Sequence, residues 1–193
     1  MPPRSSRHAD VNRRSFLQGT GLGLLAFSLA GTQVLLTPRQ ARARGADFKS
    51  LGSGEVLTLE ALGEVLVPGA REAGIANFVD QQMSADPNES LLMAKYLNVA
   101  PPYSDFYHAG LAALDRLSNV QFDAPFVELE QEQAVTLVSS ISNSVPDDWD
   151  GPPPPLFYLC VRADAVDVVY GTAEGFAKLK IPYLPHIPPP ERW

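Results

Sequence analysis

The chain has 193 residues with 15 basic and 22 acidic side chains, a formal net charge of −7, 18 prolines and a single cysteine. An acidic chain is a poor partner for nucleic acid or an anionic membrane surface, and one cysteine excludes an internal disulfide. The length suffices for one compact domain with a hydrophobic core and leaves no room for a second catalytic domain.

The N-terminus carries the pattern of an export leader. Arg13 and Arg14, followed by Phe16 and Leu17, precede an apolar run over residues 22–36. This arrangement resembles a twin-arginine signal. The run has roughly 15 residues, whereas a membrane-spanning helix needs about 20, so a signal segment fits better than a stable span. Recognition of the arginine pair by the twin-arginine translocon would deliver the protein to the periplasm.

A cleavage site is predicted at the end of this leader. Ala41 and Ala43 supply the small residues at alternate positions that a signal peptidase accepts. Cleavage after Ala43 would make residues 1–43 the signal peptide and residues 44–57 a linker. If cleavage fails, the segment would tether the domain to the outer face of the cytoplasmic membrane. The residues by themselves leave both outcomes open.

Apolar residues recur at helical spacing through most of the remaining chain. They predict an all-α domain of about five to seven helices over residues 58–180, with Thr58 as the N-cap of the first. Clustered prolines predict an exposed connector over residues 142–155. The predicted helices cover residues 58–66, 73–83, 89–96, 104–120, 128–141 and 156–170.

The helix predicted over residues 156–170 is apolar around its whole circumference. Such a helix is either central to the core or half covered by a partner. Asp164 and Asp167 are interpreted as a solvated edge or as a rim that fixes the register of a partner. Cys160 on the same helix either stays buried or pairs with another chain.

The last residues, 181–193, alternate prolines with apolar side chains such as Tyr183 and Trp193. Proline cannot continue a helix or complete a strand ladder, so this segment is predicted to be an extended, polyproline-like arm. Its apolar side chains need a surface to lie on, either on the same domain or on another protein.

Three segments carry a family resemblance. Residues 58–70 followed by 73–75, the stretch 110–115, and residues 169–172 with 181–183 resemble proteins of the gluconate 2-dehydrogenase subunit 3 family. The resemblance covers roughly residues 58–193. Gluconate-type members often carry Gly-Gly-Asn and then Gly-Trp near the end, where this chain has Gly171-Thr172-Ala173. A partner acting on glucose, fructose, sorbitol or another sugar alcohol is therefore as acceptable as one acting on gluconate.

The resemblance implies a non-catalytic small subunit that binds a larger FAD-dependent dehydrogenase of the glucose-methanol-choline type. FAD would belong to the large subunit and haem c to a possible cytochrome c subunit, while this chain would bind no cofactor or metal. The small subunit would lend its leader and carry the folded large subunit to the periplasm. The complex would stay attached to the outer face of the cytoplasmic membrane.

Under this interpretation, a set of apolar residues contacts the large subunit, and Cys160 is a candidate for a disulfide with it. The alternative for Cys160 is a buried free thiol that acts as a small hydrophobic residue. The candidate contact residues are Phe157, Val161, Tyr170, Tyr183 and Trp193.

A search for catalytic groups finds none at recognisable spacing. His108 is interpreted as a surface or capped histidine and His186 as a solvent or partner contact, and the two suggest neither a zinc site nor a nucleophile relay. Asp147, Asp148 and Asp150 are interpreted as a solvated acidic turn. Two rival functions stay open: a self-sufficient exported or membrane-tethered enzyme, and a free-standing periplasmic binding domain.

Overall fold

The computed structural model describes residues 23–180, which form a mainly helical fold with one antiparallel β-hairpin. The predicted helical class is confirmed. This range holds nine α-helices, more than expected, because the additional ones have only four to six residues, too few to show a periodic pattern. The predicted export motif with Arg13 and Arg14, and the predicted arm with Tyr183 and Trp193, lie outside the described residues.

The elements follow in chain order. They are β1 Leu25–Leu29, β2 Thr32–Leu36, α1 Pro38–Ala43, α2 Ser53–Leu66, α3 Ala70–Ala73, α4 Ile75–Met83, α5 Met93–Tyr96, α6 Tyr103–Phe122, the 3-10 helix Phe126–Glu128, α7 Gln131–Asn143, α8 Pro154–Tyr170 and α9 Ala173–Lys178.

Helix α8 lies at the centre of the fold. Its neighbours are α2, α3, α4, α5, α6, α7 and α9. Phe157 and Val161 are fully buried in this core, and the close approach of α6 depends on Gly110. A Cβ at Gly110 would lie 2.2 Å from the Phe157 ring. Contact on nearly every side explains why α8 lacks a polar face.

Helix α2 begins five residues earlier than predicted. Its N-cap is Gly52, whose N–H donates to the Glu55 carboxylate at 2.8 Å. Thr58 lies inside the helix, where its hydroxyl donates to Asp115 Oδ2 at 3.0 Å. The prediction of Thr58 as the N-cap was wrong. A threonine before an apolar run is typical of an N-cap, but its hydroxyl can equally bind a carboxylate of a neighbouring helix from inside the helix.

The hairpin β1–β2 and α1 occupy residues that the sequence assigns to the leader. Leu29 pairs with Thr32 across a two-residue turn, Ala30-Gly31, in which both φ angles are positive. Four residues of this segment and the following loop form a second small core: Phe27, Leu36, Ala41 and Ala46. The ordered fold therefore starts well before residue 58, and residues 53–57 are helix instead of linker.

The hairpin was missed because Ala-Gly is a weak signal for a hairpin turn, which usually carries Asn-Gly or Asp-Gly. Apolar and polar residues also do not alternate strictly along this run, so the period of two that marks a half-buried strand is absent. In the structure, four of the five residues of β1 are buried or half-buried. Within residues 23–180, no helix has the length and apolar character needed to cross a membrane.

Candidate functional site

Two of the predicted partner-contact residues belong to the core of the chain itself. Phe157 and Val161 have no exposed surface, because both point from α8 toward the surrounding helices. Their assignment to a partner interface is thus corrected. Tyr170, at the last position of α8, is half-buried and stays accessible to a partner.

Cys160 is fully buried and its thiol is free. Burial is the main cause that raises the pKa of this thiol to about 12, and the nearby Asp164 adds to it. A thiol with such a pKa is almost entirely protonated and poorly reactive at neutral pH. The structure favours the buried-hydrophobe interpretation. The inter-subunit disulfide stays a prediction that requires α8 to be uncovered.

The solvent-facing side of α8 carries a different set of apolar residues. Leu159 is 42% exposed and Val166 is 38% exposed. Ala163 and Tyr170 are half-buried and follow at helical spacing, so the four residues share one side of the helix. We call this set the α8 stripe. It gives another protein an apolar surface on the central helix, next to the exposed Arg162.

Asp164 lies on the inner side of α8, fully buried. One carboxylate oxygen accepts the hydroxyl of Tyr107, and the other accepts the backbone N–H of Met93 at 2.9 Å. Burial raises the pKa of Asp164 to about 7, although these two hydrogen bonds act in the opposite direction. Burial also raises the pKa of Tyr107 well above its ordinary value, and the charge of Asp164 adds to the rise.

The interpretation of Asp164 as a solvated edge was therefore wrong. Its carboxyl joins α6, α8 and the start of α5 inside the core. A raised carboxyl pKa often marks a catalytic acid, but such a group needs access to a substrate. With no exposed surface at Asp164, the network stabilises the fold.

His108 lies between two side chains that the sequence does not suggest. Its Nδ1 is 2.6 Å from Glu55 Oε1 and its Nε2 is 3.1 Å from Ser50 Oγ. All three residues are partly exposed. The order serine, histidine, carboxylate is that of a hydrolase triad, so the surroundings of Ser50 decide what the group can do.

Those surroundings do not support acyl transfer. The backbone N–H groups of Ser50 and Leu51 both donate to Asp80 Oδ1 at 2.8 Å, and that of Lys49 donates to Oδ2 at 2.9 Å. An oxyanion hole needs free N–H donors beside the nucleophile. Because Asp80 occupies them, the arrangement fixes the loop before α2 against α4 and α6. His108 contacts this loop and the first turn of α2 through Ser50 and Glu55.

A second polar cluster joins α1 to the domain. Arg42 Nε donates to Glu60 Oε1 at 2.8 Å, and Arg71 Nε lies 3.9 Å from Glu60 Oε2. Arg39 forms an ion pair with Glu72 in α3. The hydrogen bond with Glu60 is the main cause that raises the pKa of Arg42. No local pattern signals this cluster, because Arg39 and Glu72 are 33 positions apart in the sequence and Arg42 and Glu60 are 18 apart.

A small cleft of about 250 Å³ follows the same junction. Arg42, Phe48, Val56 and Glu60 are among its lining residues, together with Asn77. Asn77 Oδ1 is buried and has no hydrogen-bond partner within residues 23–180. A polar atom of this kind is commonly satisfied by water in a cleft of this size.

Among the described residues, no group of three His, Cys, Asp or Glu side chains lies close enough to hold a metal ion. In the acidic turn, Asp150 Oδ2 accepts from Arg116 at 2.7 Å in an exposed ion pair. Asp147 and Asp148 are exposed, as predicted for a solvated turn.

The described residues define a helical domain around an apolar central helix, and its main polar clusters hold elements of the fold together. Residues 53–188 match the protein family described as Gluconate 2-dehydrogenase subunit 3. Because this match covers more than half of the chain, the protein belongs to the gluconate 2-dehydrogenase subunit 3 family. The family resemblance predicted from the sequence is confirmed. Comparisons with curated proteins and with solved structures found no significant match.

Proposed function

We propose that this chain is the non-catalytic small subunit and export escort of a periplasmic FAD-dependent sugar or polyol dehydrogenase. The observation that carries the proposal is the family match over residues 53–188, since the family is a subunit of a dehydrogenase complex. The pattern of Arg13, Arg14, Phe16 and Leu17 adds the export part.

In this proposal the chemistry belongs to the other subunits. The large subunit, of the glucose-methanol-choline type, holds FAD and oxidises the substrate, and a possible cytochrome c subunit takes the electrons onward through haem c. The small subunit contributes binding. It associates with the folded large subunit in the cytoplasm, presents the arginine pair to the twin-arginine translocon and stays attached outside, at the outer face of the membrane.

The α8 stripe replaces Phe157 and Val161 as the proposed contact surface on the central helix. Leu159, Val166 and Tyr170 are reachable and aligned on one side of the central helix, where Arg162 is also exposed. An interface that lasts through export needs more than about 1,000 Å² of buried surface, so the stripe supplies only part of it. The arm with Tyr183 and Trp193 is proposed to supply more.

The decisive experiment is purification of the C-terminally tagged protein from its native periplasm, followed by a flavin absorbance spectrum and mass spectrometry of the associated chains. A roughly stoichiometric flavoprotein supports the subunit role, and its activity identifies the substrate class. A colourless single chain contradicts that role and favours a free-standing binding domain.

The escort role has its own test. Replacing Arg13 and Arg14 together by lysine should leave both subunits in the cytoplasm, because the translocon reads the arginine pair. Replacing Arg4 and Arg7 by lysine makes the same chemical change outside the pair and should leave export intact. Periplasmic flavoprotein activity in the Arg13→Lys, Arg14→Lys variant would refute the escort role while leaving the subunit role untouched.

A further inference from the structure

We infer that residues 25–47 are a permanent part of the folded domain, and that the bond after Ala43 stays uncut once the domain has folded. The sequence predicts cleavage at this bond, whereas the structure places it at the C-terminal end of helix α1, two residues after the buried Ala41. The inference rests on the proposed function in one respect only: the uncut chain is expected in the periplasm because export is proposed.

The backbone on both sides of the bond after Ala43 is helical. Ala41 and Ala43 lie in α1, and the helical hydrogen bonding continues past them: Arg44 N–H donates to Gln40 O at 3.0 Å, and Ala46 N–H donates to Ala41 O at 2.9 Å. A peptidase that binds its substrate as an extended strand cannot use a helical turn. α1 must first unwind.

The side chain of Ala41 is buried in the second core. Ala41, one of the two residues that a signal peptidase would have to accept, has no exposed surface, whereas Ala43 is exposed. Ala41 packs with Phe27 and Leu36 from the hairpin and with Ala46 from the loop after α1. Unwinding α1 would therefore open the whole second core, at the cost of the apolar surface it buries.

Helix α1 also packs closely against the rest of the domain. A Cβ at Gly74 would lie 2.3 Å from the Pro38 carbonyl oxygen, so the backbone of α1 lies directly on the start of α4. Such close approach needs a residue without a side chain. Gly74 also has a φ of +86°, which by itself favours glycine, so the observation that concerns α1 is the direct contact between the two backbones.

An ion pair between Arg42 and Glu60 also joins α1 to the domain. The Glu60 side chain is only 11% exposed, and Arg42 is its near partner. Removal of residues 1–43 would leave this carboxylate with Arg71, 3.9 Å away, as its remaining ion-pair partner. A largely buried carboxylate that keeps only this longer ion pair is less well compensated, which lowers the stability of the domain. The loop after α1 would lose its anchor as well, because Asp47 N–H donates to Ser28 O at 2.9 Å.

The experiment has two parts, and the first concerns the exported protein. The full chain with a C-terminal tag is expressed in a host with a twin-arginine translocon, and the periplasmic protein is weighed by intact mass spectrometry. A chain that begins before residue 26 supports the inference. A chain that begins at Arg44 overturns it, whatever the second part shows. Absence of the chain from the periplasm contradicts the proposed export and leaves the decision to the second part.

The second part needs no export. Native full-length protein is treated with trypsin, and cleavage after Arg42 and Arg44 is compared with cleavage in urea. We expect at least about tenfold slower cleavage in the native chain, because it requires local opening. Equal rates would overturn the inference. A matched pair of truncations completes the test: relative to the chain that lacks residues 1–22, removal of residues 1–43 should lower Tm by about 10 °C or more or prevent folding. A chain lacking residues 1–43 that keeps the Tm of the chain lacking residues 1–22 would likewise overturn it.

Discussion

Tyr107 in α6 donates its hydroxyl hydrogen bond to the carboxylate of Asp164 in α8, in the middle of the core. The second oxygen of the same carboxylate accepts from Met93 N–H, where α5 begins. One buried acidic group thus connects three helices. Its neutral form is favoured because burial disfavours the charge.

The first prediction is a pH dependence of stability that depends on Asp164. Its pKa in the folded state is about 7, above the ordinary 3.8, so the folded state binds the proton more tightly than the unfolded state does. The contribution of Asp164 to the free energy of unfolding should be greatest below about pH 4 and fall as pH rises to 7, by roughly 3–4 kcal/mol. Burial also raises the pKa of Asp167, which acts in the same direction.

Asp164→Asn tests this directly. The amide keeps an oxygen for Met93 N–H and donates to the Tyr107 hydroxyl, but it has no charge to bury. Urea titrations at pH 4 to 8 should show a flatter stability profile, with the variant as stable as the parent or more so at pH 8. Asp164→Ala should be destabilised at every pH, since it leaves two buried donors without an acceptor. A variant that keeps the parent's pH slope would contradict the assignment.

The second prediction concerns the contact between α6 and α8. Gly110→Ala places a methyl group 2.2 Å from the Phe157 ring, so the two helices must separate or the ring must move. We expect a loss of about 1–3 kcal/mol in unfolding free energy. Gly54→Ala is the matched control, because no heavy atom lies within 4 Å of a Cβ at that helical position. It should be neutral or stabilising by up to about 1 kcal/mol.

The third prediction compares two arginine ion pairs of different burial. Arg42→Met removes the near partner of the mostly buried Glu60, and we expect a loss of about 1–2 kcal/mol, reduced because the Arg42 side chain is 36% exposed. Arg116→Met removes the partner of Asp150, which is 90% exposed, and should change stability by less than about 0.5 kcal/mol. Thermal unfolding of both variants at one pH gives the comparison. If both variants lost the same amount of stability, the ion pair of Arg42 with Glu60 would behave like an exposed surface pair.

The fourth prediction concerns the reactivity of Cys160. Its buried thiol, with a pKa of about 12, should react with a thiol reagent far more slowly in native protein than in urea. The purified complex should then show separate subunits on a gel without reductant. A single band that reduction splits in two would restore the inter-subunit disulfide and require α8 to be uncovered in the complex.

The fifth prediction concerns the α8 stripe. Leu159→Asp combined with Val166→Asp should reduce recovery of the flavoprotein with the tagged small subunit, because charged groups would have to be desolvated at the contact. Both residues are exposed, so the isolated domain should keep its Tm to within a few degrees. Val120→Asp is the control, since Val120 is 58% exposed on another helix. Equal recovery with both variants would place the interface elsewhere.

The sequence by itself predicted the features that depend on local pattern. Apolar residues at helical spacing indicated the helical class, and α8 was expected to be central or partner-covered because it has no polar face. The family resemblance was visible in short segments of fixed order. These inferences succeed because periodicity and turn chemistry act over a few residues.

Only the tertiary structure decided which groups meet. His108 contacts Glu55 and Ser50 across more than 50 positions of sequence, and Asp164 meets Met93 at a separation of 71. It also decided that the apolar residues 25–36, which the sequence assigns to an export leader, form a hairpin. An export signal and a buried hairpin both require apolar residues, so composition alone does not separate them. Long-range contacts determine burial, pKa and the accessible side of α8, and no local pattern encodes them.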